Sequence, residues 1–63
     1  MNLALKIKIL NSGKSQFEIS RIAKIKENFL SRIINDRENP DRKTRAAIAK
    51  ALRCSQKEIF PES

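Results

Sequence analysis

The stretch that most constrains the fold of this chain is residues 15–37, where apolar residues recur at helical spacing on both sides of a short basic break. Its first half opens with Ser15 and, three residues later, Glu18, which together form the capping-box pattern that begins a helix. The apolar residues that follow share one helix face: Ile19, Ile22 and Ala23. A short amphipathic helix is therefore predicted directly after Ser15.

The second half of this stretch predicts another helix, which follows a tight turn at residues 24–26. Glu27 stands at its start, where an acidic side chain suits the positive end of the helix dipole. At about 100° per residue, the apolar residues fall on one arc: Phe29, Leu30, Ile33 and Ile34. The opposite arc is polar: Asn28, Ser31, Arg32 and Asn35. Short hydrogen-bonding side chains with an arginine are the types that read base edges in the major groove of DNA.

A strong positive charge accompanies this pattern. The chain carries 14 Lys and Arg residues against 7 Asp and Glu, which gives a net charge of +7. The isoelectric point of about 10.2 lies above the value of roughly 9 that marks nucleic-acid-binding domains. Eight of the 14 basic residues lie within residues 21–45. The charge indicates an anionic partner, and by itself it leaves DNA, RNA and an acidic membrane surface open.

Length and composition argue against several classes of protein. A chain of 63 residues is expected to form one domain with a small core. It has no histidine and a single cysteine, Cys54, so we expect no disulfide within the chain and no metal site. Cys54 follows Leu52 and is expected to act as a small buried hydrophobe. We expect no enzyme and no cofactor, because the chain has no glycine-rich phosphate loop and is too short to enclose a substrate.

No membrane segment is expected either. No apolar run approaches the ~20 residues needed to span a bilayer, and Lys6 and Lys8 interrupt the apolar core that a signal peptide would need.

The first twelve residues fit two patterns. Apolar residues alternate with lysines as in a strand, and a strand here would pair with its own copy across a dimer. The same residues also fit a helix whose face carries Leu3, Ile7 and Leu10, with Leu5 and Ile9 beside it, and Gly13 would end it. We predict a helix over residues 3–12, because every later segment is helical and a lone strand would have no partner.

The remaining segments add two helices. Asp36 is expected at a helix end, Asn39 and Pro40 at a turn, and Asp41 at the cap of a helix that runs through Thr44 to Leu52. A second capping box, Ser55 with Glu58, opens a final turn over residues 56–60, which Pro61 ends. The prediction is an all-α, compact bundle of five short helices in a single domain, residues 1–63, with the two central helices and their turn at residues 16–36.

These signals, taken in order, resemble the Cro/repressor-type helix-turn-helix proteins, also called the XRE or lambda-repressor-like family. The resemblance runs without a gap from Gly13 to Phe60. It is carried by six pieces: Gly13-Lys14-Ser15-Gln16, the small or aliphatic residues of the two central helices, Leu30-Ser31-Arg32-Ile33, Asn39-Pro40, Ile48-Ala49-Lys50-Ala51-Leu52 and Glu58-Ile59-Phe60. Six pieces in register are far more specific than a lone motif.

The chain also departs from the family pattern. Lys24 stands where the family prefers Gly in the turn, so a positive φ is expected there. Ser20 replaces the usual Ala, and its hydroxyl can bond back to the carbonyl of Gln16. Three arginines replace other residues, Leu at the first two positions and Gly at the third: Arg42, Arg45 and Arg53.

The resemblance implies a binding site for double-stranded DNA. The second central helix would lie in the major groove and place five side chains near base edges: Lys26, Glu27, Asn28, Ser31 and Arg32. Asn28 suits adenine, and Arg32 or Lys26 suits guanine, with a phosphate as the alternative partner of Arg32. Glu27 either accepts a hydrogen bond from cytosine or only matches the helix dipole. Seven further residues would contact phosphates: Lys14, Ser15, Gln16, Asn35, Arg37, Arg42 and Lys43.

The resemblance further implies a small, sequence-specific transcriptional regulator of a bacterium or phage. It would act in the cytoplasm on the nucleoid, as a repressor without a small-molecule effector. A homodimer, formed in solution or only on DNA, would bind half-sites ~34 Å apart. Its contacts would come from the first helix, the last helix or the tail at residues 61–63.

Two alternatives stay open. A protein-interaction module, such as an antitoxin-like or accessory protein, would expose an apolar patch around Phe17, Ile22 or the first helix, and would bind DNA weakly. A structure-selective RNA binder would show little preference among DNA duplexes. Phe29 and Phe60 are expected in the core, whereas Phe17 either packs under a terminal helix or stays exposed.

Overall fold

The structure is a computed structural model that describes residues 1–61. It consists of five helices: α1 (Leu3–Asn11), α2 (Gln16–Ala23), α3 (Glu27–Ile34), α4 (Arg42–Ala51) and α5 (Gln56–Ile59). Within residues 1–61 there is no strand, so the all-α prediction is confirmed and the strand alternative for the first segment is wrong.

Local hydrogen bonds set the starts of the helices. The predicted capping box begins α2: Ser15 Oγ accepts the backbone N–H of Glu18 at 3.1 Å, and Glu18 Oε1 accepts that of Ser15. The second predicted box, between Ser55 and Glu58, begins α5. Asp41 Oδ1 accepts the backbone N–H of Thr44 at 2.8 Å and begins α4. All three predicted caps are confirmed.

The core is a single cluster of aliphatic side chains to which every helix contributes. Its buried members are Leu5, Ile9, Ile19, Ala23, Leu30, Ile33, Ile34, Ile48, Ala49, Ala51, Leu52 and Ile59. Phe29, Cys54 and Phe60 are partly buried against this cluster. Helix α2 packs on α3 and α4, while α1 packs on α3 and α5. These contacts hold α3 from behind and leave its other side free.

The helix predicted at residues 3–12 forms, but it buries a different face. Leu3, Ile7 and Leu10 are 62%, 52% and 69% exposed, whereas Leu5 and Ile9 are buried. Both sets fit the helical period, and the contacts with α3 and α5 decide which set is covered.

The buried face of α2 also differs from the prediction. Ile22 is 51% exposed, and Ser20 is buried in the core in its place beside Ile19 and Ala23. The Ser20 hydroxyl donates to the carbonyl of Phe17 at 2.6 Å rather than to that of Gln16. This short bond within the helix satisfies a hydroxyl that would otherwise be buried without a partner.

Left-handed residues follow four of the helices, and the first of them is Gly13 after α1, with φ +76°, as predicted. Lys24 has φ +61°, as predicted, Asp36 has φ +59° and Arg53 has φ +55°. Asp36 lies in the turn at residues 35–36 that follows α3, and the turn predicted at Asn39 and Pro40 does not form. Pro40 is instead buried, and its carbonyl accepts a hydrogen bond from Arg45 Nη1 at 2.7 Å.

No helix among the described residues combines the length and the apolar character required to cross a bilayer.

Candidate nucleic-acid interface

A tight turn sets α3 against α2. The backbone N–H of Lys24 donates to the carbonyl of Arg21, and that of Ile25 donates to the carbonyl of Ser20 at 3.0 Å. Lys26 has extended backbone and precedes α3 as its N-cap, without a side-chain capping bond. The N–H groups of the first turn of α3 therefore have no side-chain cap and point out of the helix end, where an acceptor can bind them.

The outer face of α3 is the polar face that the sequence predicts. On the inner face Leu30, Ile33 and Ile34 are buried, and Phe29 is half-buried against the same core. On the opposite side Asn28 and Arg32 are exposed, and Ser31 is half-buried. The core thus fixes the rotation of α3 about its axis, and that rotation turns the hydrogen-bonding side chains outward.

The start of α2 lies beside the outer face of α3. Gln16, Glu27, Asn28 and Ser31 line one shallow depression of about 330 Å³. The structure therefore brings together one residue predicted to contact phosphate and three predicted to contact bases. In protein–DNA complexes, contacts to the phosphate backbone of DNA position the protein, whereas contacts to base edges read the sequence.

Arg32 has two neighbours that the sequence does not single out. Its Nε lies 3.4 Å from Glu38 Oε1, and its Cζ lies 5.7 Å from the centroid of the Phe29 ring. Phe29 is three residues earlier on the same helix, a spacing that could have been noticed. Glu38 belongs to the irregular segment after α3, where no period relates it to Arg32.

Two of the predicted phosphate contacts already have partners within the chain. Ser15 Oγ accepts the capping bond of α2, which leaves its hydroxyl hydrogen free to donate. Asn35 Nδ2 donates to the carbonyl of Ser31 at 2.9 Å. Ser15 is the N-cap of α2, and Asn35 is the C-cap of α3.

The remaining predicted phosphate contacts are cations at helix ends. Lys14 is half-buried just before α2, and Arg37 is exposed after α3. Arg42 and Lys43 are exposed in the first turn of α4. None of these four lines the depression between α2 and α3. The Thr44 hydrogen bonds hold the pKa of Asp41, the cap of α4, below its usual value, so an anionic group sits beside these cations.

Arg45, which stands where the related pattern has Leu, is directed into the protein. Its Nη1 bonds the carbonyl of Pro40, and its Nε is buried with no hydrogen-bond partner among the described residues. It therefore braces the segment between α3 and α4 and is not placed for contact with DNA.

Several large apolar side chains stay exposed away from the core. Leu3, Ile7 and Leu10 form a stripe along the outer side of α1. On α2, Phe17 is half exposed and lies 5.7 Å from the guanidinium carbon of Arg21, and Ile22 is exposed as well. Phe17 is thus not packed under a terminal helix. These are the surfaces that the protein-interaction alternative predicts.

Comparison with known proteins gives one match. A family model described as a Cro/C1-type HTH DNA-binding domain matches residues 4–61, nearly the whole described part of the chain. Neither the curated proteins nor the solved structures contain a significant match.

Proposed function

Since the chain belongs to the Cro/C1-type helix-turn-helix DNA-binding family, we propose that it recognises a specific duplex operator and represses transcription by occupying it. The family consists of DNA-binding regulators and not of enzymes. The observation that carries the proposal is the outer face of α3, polar and exposed while its inner face is buried in the core. On this proposal the protein needs no cofactor or small-molecule effector, and acts in the cytoplasm of a bacterium or an infected cell.

In this proposal α3 enters the major groove, and its N-cap Lys26 together with four of its own residues approach base edges. Asn28 pairs with adenine, and Arg32 pairs with guanine. Lys26 and Glu27, at the start of the helix, reach further bases, while Ser31 contacts a base from the middle of the face. Each good pairing contributes about 1–3 kcal/mol of discrimination, so two or three of them suffice for a specific operator.

The phosphate contacts are proposed for seven residues around this face: Lys14, Ser15, Gln16, Asn35, Arg37, Arg42 and Lys43. The start of α2 supports the contact from Gln16, because free N–H groups at a helix N-terminus bind anions. Phosphate contacts set the register of the helix on DNA and add affinity that falls with salt.

We also propose that two copies bind half-sites ~34 Å apart. Of the three candidate contact regions, α1 offers the largest apolar surface, through Leu3, Ile7 and Leu10. Helix α5 offers less, since it has four residues and its Ile59 is fully buried. Residues 62 and 63 of the tail lie outside the described residues. The substitution I7E places a negative charge in this stripe and should therefore weaken self-association. Sedimentation of the protein alone and of its DNA complex measures this.

The exposed stripe on α1 also supports a second candidate function, the protein-interaction module. If that is the role, I7E abolishes capture of the partner while every DNA duplex binds weakly and alike. The RNA alternative is tested by adding an RNA hairpin as competitor to the DNA-binding assay. An RNA binder would release the selected DNA when the hairpin is present at equimolar concentration.

The proposal is tested by selection from a randomised duplex pool, followed by fluorescence anisotropy. We expect one sequence, ideally an inverted repeat, to bind thousands-fold above the pool. R32A should remove much of this preference. The control K57A removes one positive charge from α5 and should keep the sequence preference. If no sequence is enriched, or if K57A loses the preference as R32A does, the proposed function is wrong.

A further inference from the structure

The side chain of Arg32 is held from two directions. Glu38 Oε1 lies 3.4 Å from its Nε, and the ring of Phe29 lies under the guanidinium, with the carbon Cζ 5.7 Å from the ring centroid. Phe29 is itself partly buried against the core, so it is a fixed platform. Arg32 remains about half exposed between these neighbours. A side chain with four rotatable bonds is thereby restrained on an otherwise open face.

These two contacts leave the two terminal nitrogens of the guanidinium free to donate hydrogen bonds. An arginine has five N–H donors, and the contact with Glu38 occupies only the one on Nε. The two terminal nitrogens keep four donors in a fixed plane, which is the fork that pairs with O6 and N7 of guanine. The ring of Phe29 and the carboxylate of Glu38 contact the guanidinium from two sides. The arrangement restrains the side chain without using the atoms that read a base.

Fold stability does not explain the Glu38 carboxylate, because exposed ion pairs add little to the free energy of unfolding. The carboxylate is also unfavourable for general attraction to DNA, since an acidic group near the outer face of α3 repels phosphates. A group that lowers attraction to every duplex, yet contacts a base-reading arginine, fits a role in discrimination. Ordering a long side chain before binding removes part of the entropy lost when the complex forms.

We infer that Glu38 is a positioning residue: it fixes Arg32 for one base pair and raises sequence discrimination without itself touching DNA. This inference rests on the proposed function. Glu38 therefore has two opposite effects. It weakens binding to all duplexes through its charge, and it sharpens the choice at the base pair that Arg32 reads.

The experiment uses the full chain, the duplex selected by the wild-type protein and its three variants at the base pair where R32A loses discrimination. We expect E38Q to bind the three variant duplexes more tightly, while the ratio between the best duplex and these three falls about 2- to 10-fold, the range set by ordering one long side chain. In the R32A background, E38Q should leave that ratio unchanged.

The matched control is D36N. It removes the same charge from the same segment, and Asn accepts the left-handed backbone of position 36. Asp36 pairs with the amino group of Met1 and not with Arg32, so D36N should tighten all four duplexes alike. If E38Q also shifts all four alike, or lowers the ratio equally with and without Arg32, the inference is wrong. A wild-type protein that selects no sequence would instead refute the proposed function.

Discussion

The turn between α2 and α3 contains a strained residue whose replacement should stabilise the protein. Lys24 has φ +61° and ψ +41°, in the left-handed region. This region costs a residue with a Cβ roughly 1–2 kcal/mol. Glycine avoids the clash but loses about 0.5–1 kcal/mol more than alanine through chain entropy on folding. We therefore expect K24G to raise the free energy of unfolding by about 0.5–1 kcal/mol.

The assay is thermal unfolding followed by circular dichroism. For a domain of this size, 1 kcal/mol shifts Tm by roughly 4–8 °C, so K24G should raise Tm by about 2–8 °C. The matched control is K24A, which removes the same charge but keeps the Cβ, and it should gain no such stability. The reasoning is refuted if K24G is no more stable than the wild type, or if K24A gains as much as K24G.

Three further predictions concern binding, pH and the thiol. If each copy neutralises four phosphates with its four flanking cations, the logarithm of the binding constant should fall with the logarithm of salt concentration with a slope of about −3.6 per copy. A slope near zero in an anisotropy titration would contradict these contacts. The backbone hydrogen bonds from Thr44 to Asp41 and from Ser55 to Glu58 lower the pKa of both carboxyl groups. Their stabilisation is complete above the unfolded pKa values and is lost as the pH falls through the folded ones, so Tm should fall below about pH 4. The fall should be smaller in D41N, whose cap does not titrate, and an equal fall would contradict this cause. Burial raises the pKa of the Cys54 thiol, so iodoacetamide should modify it more slowly at neutral pH in the folded protein than in urea. Equal rates would contradict its half-buried position.

The helix starts could be predicted from the sequence because they depend on contacts only three residues apart. The caps at Ser15 and Ser55 form with the predicted glutamates, and Asp41 caps α4 as predicted. The left-handed Lys24 was predictable for a different reason, since the family resemblance places a turn glycine at this position. A capping signal can be recognised without knowing how distant parts of the chain pack.

The buried faces of α1 and α2 could not be predicted in the same way. Along α1, two apolar stripes fit the helical period, and packing on α3 and α5 covers Leu5 and Ile9 in preference to the stripe of Leu3, Ile7 and Leu10. In α2 the small Ser20 faces the core where Ile22 was expected. Period alone shows that residues share a face, and tertiary contacts decide which face is covered.

The candidate site divides in the same manner. The outer face of α3 follows from the periodicity of one helix, and the sequence could predict it. The position of Gln16 beside Asn28 depends on the geometry of the turn, which the family resemblance supplied and periodicity did not. Glu38 lies in an irregular segment, so its contact with Arg32 is visible only in three dimensions.

The central claim, that the outer face of α3 reads bases in the major groove, is tested most directly by changing single atoms of the selected duplex. Replacing a guanine by 7-deazaguanine removes an acceptor from the major groove, and replacing it by inosine removes a donor from the minor groove. We expect 7-deazaguanine at the base pair of Arg32 to weaken binding about 5- to 150-fold, as the loss of roughly 1–3 kcal/mol requires. Inosine should have little effect, and R32A should be insensitive to both. Weakening by inosine alone, or equal losses in the wild type and R32A, would contradict the account.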